Sequence, residues 1–392
     1  MKVRLVVGFI LTGLLLLHAG GCSKEPERKP VKPQLRVGLS VADAARDGNI
    51  IIRKVMEEKG RAAKARIIFA DARNDPLRQE EDIERLVKKE RVQALVIQFV
   101  DPATAGGMVR HLNEAGVKVI ALETIVPDAP LDAYIGSDHA LAGELLARFI
   151  RESILDAGKA YTRVLFIGGE PADPGMAEVA ASFQGFFRSC PQVKVLVENA
   201  TLNDPRQVPA LLDRVFAEYE EVDAIAAADS RFAVEAIEAL RSRGLVDEVV
   251  TAGIGADRRA TDLMSAGKHE AEVDVQPEML GTGALTAAVD LVRRGNWRYE
   301  TRVSSGDFSI PAQIVPVRLV RPESLYLLEK RWQKYGSGGE GSSSSGNKNQ
   351  KDKSGGSGNE REKKTTLRVT TQDGRTVVVD IPGEVKKVET VK

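Results

Sequence analysis

Apolar and polar positions along the chain follow two alternating periods. Short apolar runs recur at residues 36–41, 65–70, 94–99, 118–122, 163–167, 193–197, 224–227 and 248–252. Between most of them lie stretches with apolar residues three and four apart, such as 79–88 and 140–155. That is the spacing of a helix with one buried face. Strands alternating with helices predict parallel sheets with helices on both faces. The units are too many for one comfortable sheet, so the fold class expected is α/β, with two doubly wound parallel-sheet lobes. Ligands of such sheets sit beyond the carboxyl ends of the strands, which makes a cleft between the lobes the expected site.

Both ends of the sequence depart from this rhythm. Lys2 and Arg4 precede an apolar run over 5–17, which closes on Ala19-Gly20-Gly21-Cys22. The run is short for a bilayer span, and small residues before a cysteine read as a processing site. Residues 1–22 resemble a bacterial lipoprotein signal, which implies that Cys22 carries the lipid on the mature chain. An ordinary secretory signal or an uncleaved anchor is the competing reading. Ser23, next in line, resembles the pattern for outer-membrane rather than inner-membrane sorting. Residues 23–34 are charged, contain Pro26, Pro30 and Pro33, and read as a tether. The location expected is extracytoplasmic, anchored at the periplasmic face or the cell surface.

Residues 336–364 are rich in Gly, Ser, Lys and Asn and predict a flexible linker. Within the last segment, 365–392, residues 365–371 and 375–381 alternate apolar and polar positions around Asp373-Gly374, a strong hairpin signal. An isolated hairpin is marginal in water. It therefore adds to a sheet edge, in this protein or a partner, or orders only transiently; a dispensable tail is the other reading.

Composition narrows the function classes. Of 392 residues, 43% are hydrophobic, enough for real cores. Lys+Arg and Asp+Glu both total 56 and aromatics are only 5%, so no nucleic-acid partner is expected. Cys22 and Cys190 cannot build a disulfide framework, and four histidines leave little for a metal site. His111, His139 and His269 are isolated in sequence and read as surface residues. Gly253-Ile254-Gly255 meets Arg258 where a dinucleotide loop needs glycine, and Gly168-Gly169 lacks the Gly-Lys-Ser/Thr of a phosphate loop. No catalytic constellation emerges, no cofactor is called for, and the chain reads as a binding protein rather than an enzyme.

An ordered set of motifs carries a family resemblance. Asp71-Ala72-Arg73-Asn74-Asp75 with Gln79 closes one strand and opens a helix; 92–97 and 115–120 follow, then Ala133-Tyr134-Ile135-Gly136-Ser137-Asp138 and a helix containing Gly143. Val222-Asp223-Ala224-Ile225 and Ala252-Gly253-Ile254 come later. Over about residues 35–325 this order resembles the type I periplasmic sugar-binding proteins of the ribose- and xylose-binding kind. The resemblance implies two lobes joined by three crossings, placed near 125–130, 276–278 and 304–308. Lobe 1 would take 35–125 and 277–303, and lobe 2 would take 126–276 and 304–335.

The binding loops match that family less well than the scaffold does. The first loop, Asp43 to Asn49, lacks the family's aromatic pair, and Glu123-Thr124 stands where an Asp-Arg pair is usual. Asp229 falls on a polar contact position, and the usual Gly-Phe-Asp has become Gly253-Ile254-Gly255, with Asp257 two residues on. The hinge glutamine position falls on Val275, beside Gln276. The candidate ligand set is thus Asp43, Arg46, Asn49, Glu123, Thr124, Asp229 and Gln276, side chains suited to hydroxyl groups that both donate and accept. Helix capping competes for several of them, and for Asp138 it is the preferred reading. The resemblance implies a monomer that captures a small sugar or related polar solute and delivers it to an ABC permease. The alternative is a sensor or interaction protein with an altered or empty cleft.

Overall fold

The computed structural model describes residues 34–156, 161–202 and 204–336, and the backbone of two later strands. The signal, tether and linker segments, and the Asp373-Gly374 turn, lie outside the described residues.

The chain opens with β1 (Leu35–Val41), α1 (Asp47–Ala62), β2 (Ala65–Asp71), α2 (Pro76–Lys88), β3 (Ala94–Ile97), α3 (Gly106–Glu114), β4 (Lys118–Leu122) and β5 (Ala133–Ser137). All these strands run parallel. Central strands β3 and β5 are buried at every position. This accounts for apolar runs that do not alternate, because helices cover both faces of the sheet.

The chain then crosses into a second sheet. It adds α4 (His139–Asp156), β6 (Thr162–Gly168), α5 (Pro174–Phe187), β7 (Val193–Asn199), α6 (Val208–Glu218), β8 (Ala224–Ala227), α7 (Ser230–Ser242), β9 (Val250–Ile254), α8 (Arg258–Ser265) and β10 (Ala271–Asp274). It returns to the first lobe through α9 (Pro277–Arg294), β11 (Thr301–Ser305) and β12 (Phe308–Val315), and ends the second sheet with β13 (Arg318–Val320). The strand orders are β11-β12-β5-β4-β3-β1-β2 and β13-β10-β9-β8-β6-β7. Each sheet has an apolar core on both faces.

Two of the expected crossings move. Residues 125–130 are not a passage between lobes but a return loop within lobe 1, because β5 pairs with β4 (Ile120 opposite Ala133). The Asn113 amide donates to the Pro130 carbonyl at 2.7 Å and the Ser305 hydroxyl to the Val126 carbonyl, which ties that loop down. The first crossing follows Ser137. Residues 304–308 form the turn between antiparallel β11 and β12, where Gly306 takes φ +56°, and β12 stays beside β5. The last crossing is therefore Pro316–Val317. The middle crossing runs through Val275–Gln276, between β10 and α9.

Helix starts are written in the sequence. Asp75 caps α2 by accepting from the Leu77 and Arg78 amides, with Pro76 next, and Asp173-Pro174 repeats the device at α5. Asp138 accepts from the Leu141 amide at 2.9 Å and caps α4. Gly143 lets α4 lie against α5, since a Cβ there would stand 2.4 Å from the Val179 carbonyl oxygen.

A last helix, α10 (Tyr326–Tyr335), lies across both lobes. Tyr335 packs on Ile51 and Val55 of α1, and Leu328 packs with Met264 and Val320 of lobe 2. Trp332 touches both clusters and donates its indole N–H to the Thr261 hydroxyl at 3.0 Å. Lys54 of lobe 1 donates to the Tyr335 carbonyl at 2.6 Å. Arg331, 5% exposed, binds both oxygens of fully buried Asp274 at 2.7 and 2.8 Å and the Glu278 carboxylate at 2.7 and 2.9 Å. Asp274 ends β10 and Glu278 begins α9, so this ion cluster sits on the middle crossing.

Separately, β14 (Lys364–Thr370) and β15 (Thr376–Pro382) form an antiparallel two-stranded sheet, with Leu367 opposite Val379.

Candidate functional site

The carboxyl ends of both sheets face a common cavity of about 170 Å³. That is well below the roughly 300–1,000 Å³ of pockets for drug-sized ligands, so it suits one small solute. The lobes meet directly at its rim, where the Arg258 amide that begins α8 donates to the Asp47 carboxylate of α1 at 2.7 Å.

Lobe 1 supplies Arg46, Asn49, Gln98, Glu123 and Thr124. Asn49 is buried, and its amide donates to the Asp43 carbonyl and to Gln98 Oε1, both at 2.8 Å. Gln98 is held from behind by buried Gln79, which donates to the Gln98 carbonyl at 2.9 Å. Glu123 takes φ +62°, a conformation that costs a non-glycine residue energy and persists only where surroundings fix it. The fixing bonds are visible. Its amide donates to the Ile135 carbonyl at 2.8 Å, and its carboxylate accepts from the Ser137 hydroxyl at 2.7 Å and amide at 3.1 Å.

Lobe 2 supplies His139, Asp173, Asp229, Arg231 and Asp257. His139 Nε2 stands 3.2 Å from the Glu123 carboxylate, so this pair spans the first crossing. Burial pulls the imidazole down, but its bond to Glu123 and the charges of Glu123, Glu178 and Asp173 outweigh that and raise its pKa. Burial likewise pushes Glu123 up, and the His139 and Ser137 contacts overcome it, leaving the carboxylate below its usual range. Both shifts favour the ionic form of the pair.

Asp229 caps α7 by accepting from the Arg231 amide at 2.9 Å, and it takes a two-pronged ion pair from the Arg231 guanidinium at 2.8 and 2.9 Å. Asp257 stands apart. Burial and the nearby charges of Asp229, Asp47 and Glu272 hold its carboxyl well above the ordinary range, despite Arg231. Beneath it runs a buried network. Glu272, fully buried, accepts from the Ser230 hydroxyl at 2.6 Å and the Ala256 amide at 2.8 Å, and meets His269 Nε2 at 2.9 Å.

The cavity thus gathers Arg46, Asn49, Glu123, Thr124 and Asp229 of the residues singled out from sequence. Two others stand outside its lining. Asp43 is turned to local work, accepting from the Ala45 amide and the Asn74 side chain. Gln276, at φ +54°, donates from its side chain to the Pro316 carbonyl and so joins two crossings to each other. His139 and His269 are corrected. Neither is a surface residue, since the first lines the cavity and the second is 1% exposed in the Glu272 network. Asp173 escaped notice because its sequence signal is that of an ordinary cap, and Arg231 because it reads as an ordinary polar residue in the first turn of α7. Gly255 lies at φ +134°, with Ser230 Oγ 2.8 Å from where a Cβ would be, so no side chain fits there; Asp257 brings a carboxyl to the cavity instead.

Among the described residues no group of three His, Cys, Asp or Glu side chains is placed to hold a metal ion.

Residues 37–296 match the periplasmic binding protein domain family. The chain belongs to that family. Among its relatives is a ribose import binding protein of Bacillus subtilis, 26% identical over 297 residues, covering 74% of this chain and 94% of the relative. A D-xylose-binding periplasmic protein of Escherichia coli is 23% identical over 322 residues, covering 80% and 92%. Among solved structures, an ABC transporter solute-binding protein of Bacillus halodurans with bound myo-inositol superposes with a TM-score of 0.65 at 22% identity, covering 76% of this chain and 98% of that one. The two-lobed architecture is the family's.

Proposed function

We propose that this family member is an extracytoplasmic solute-binding protein that captures a small sugar or polyol between its lobes for ABC-type import. The observation that carries the reading is the cavity itself. It is sized for one small solute, lies at the carboxyl ends of both sheets, and is lined by carboxylates, amides and guanidinium groups from both lobes. Hydroxyl-rich solutes need such a mixture of donors and acceptors. Because contacts come from both sides, a bound solute favours the closed arrangement over the open one. The relatives' names, ribose and xylose binding, support the same class of solute. The resemblance of residues 1–22 to a lipoprotein signal supports tethering through Cys22, which places the binding lobes within reach of a permease. The protein works as a monomer and performs no chemistry on its solute.

The test is thermal unfolding of the chain from residue 23 onward against pentoses, hexoses and polyols. A solute at a hundred times its dissociation constant adds about 2.7 kcal/mol. A saturable rise in midpoint that is lost on replacing Glu123 and Asp229 supports the reading. A flat response across the panel overturns it.

A further inference from the structure

The charged side chains around the cavity are not all matched, and the cation left without a contact anion is Arg46. Glu123 is matched by His139, and Asp229 by Arg231. Asp173 is occupied as the cap of α5, where its carboxylate accepts from the Met176 amide at 3.1 Å. Asp257 is pushed toward its neutral form by burial and by the carboxylates around it.

Arg46 has no such match. Its single bond among the described residues runs from Nη2 to the Asn74 side-chain oxygen at 3.2 Å, with no carboxylate within ion-pair distance. Its Nε is buried and has no hydrogen-bond partner. Burial and the like charge of Arg231 across the cavity both disfavour the guanidinium, and the more distant Asp229, Asp43 and Glu170 do not make this up. A cation partly withdrawn from water without a contact anion is costly. A guanidinium's planar fork fits a carboxylate better than it fits a hydroxyl. Among the described residues no Phe, Tyr or Trp lines the cavity to cover the apolar face of a neutral sugar ring, so polar contacts must supply the selectivity.

We propose that the preferred solute is a monosaccharide carboxylate, an aldonate or a uronate, whose acid group is taken by Arg46 from lobe 1 as the lobes close. This rests on the sugar-capture reading and narrows it. Phosphorylated sugars share the negative charge, but the planar fork of a single guanidinium matches the two oxygens of a carboxylate, and no second unpaired cation lines the cavity among the described residues for a phosphate's third.

The experiment is calorimetric titration of the full mature chain with three matched sets: glucose and galactose, their uronates and aldonates, and their 6-phosphates. An acid is expected to bind at least about 10-fold tighter than its neutral parent, the lower end of the 10- to 100-fold range for a charge-assisted hydrogen bond. Arg46→Gln is expected to bring acid and parent to within about threefold of each other. Neutral sugars binding as well as the acids overturn the inference while leaving sugar capture intact. A phosphate preferred over the carboxylate overturns the assignment of the acid group. Acid selectivity unchanged in Arg46→Gln overturns the role of Arg46. Binding by no set overturns both this inference and the sugar-capture reading. The wild-type ratio of acid to neutral affinity stands whether or not the variant folds.

Discussion

Replacing Arg331 by leucine tests whether the ion cluster on the middle crossing holds the two lobes and α10 together. The guanidinium makes four hydrogen bonds, two to fully buried Asp274 and two to Glu278, which is about one-third exposed. Breaking a buried pair from one side costs about 3–5 kcal/mol, because the remaining charge stays buried. Arg318 still holds one Asp274 oxygen at 2.8 Å, and Glu278 can turn to water, so the low end, about 3 kcal/mol, applies here. At about 2–4 °C per kcal/mol for domains of this size class, the midpoint should fall by about 6–12 °C in a thermal melt. Adding Asp274→Leu to Arg331→Leu removes the stranded carboxylate. The double variant should therefore recover much of the loss, since apolar replacement of a whole buried pair is often neutral. A single variant within about 1 kcal/mol of wild type would refute the reasoning, because that is how exposed surface pairs behave. So would a double variant whose losses simply add.

Three further predictions follow from the described contacts. His139 is raised and Glu123 lowered in the folded protein. The histidine's contribution is complete below about pH 6.5 and lost as pH rises through its raised value, and the glutamate's is complete above about pH 4.3 and lost as pH falls through its lowered value. The stability difference between wild type and His139→Gln should therefore peak between those limits and shrink in alkali, and a flat difference across pH in denaturant titrations would contradict this. Gly143→Ala should cost about 1–3 kcal/mol by forcing α4 off α5, read as a lowered melting midpoint. Glu272→Leu strips the acceptor from Ser230, Ala256 and His269 together, so a loss of about 3 kcal/mol or more and faster hydrogen exchange at the Ala256 amide are expected.

Scaffold and site differed in how far the sequence revealed them. The apolar run at 94–99 read as a strand, and Asp71 to Asp75 with Gln79 read as the close of one strand and the opening of a helix, as β3, β2 and α2 are. Lobe membership was harder, because the local pattern of β5 and β12 does not say which sheet they join. What assigns them is long-range pairing, Ala133 to Ile120 and Ala312 to Tyr134. Among residues that line the cavity, those in the loops after the strands and at the helix starts were legible: Arg46, Asn49, Glu123, Thr124 and Asp229. Residues whose role depends on distant parts of the chain were not. His139 looks isolated until the chain's crossing brings it to Glu123, and Asp257 looks like an ordinary helix cap until Asp229 and Glu272 surround it. Asp43 falls outside the lining, its side chain engaged by its own turn and by Asn74.

The placement of Trp332 has a practical outcome. The chain contains two tryptophans. Trp297 is 8% exposed in the core of one lobe, whereas Trp332 packs between residues of both and leans its ring nitrogen on Thr261. Parting the lobes must strip apolar neighbours from one indole and leave the other undisturbed. The unmodified protein therefore carries its own optical gauge of opening, in which one fluorophore reads the motion and the second serves as the fixed reference.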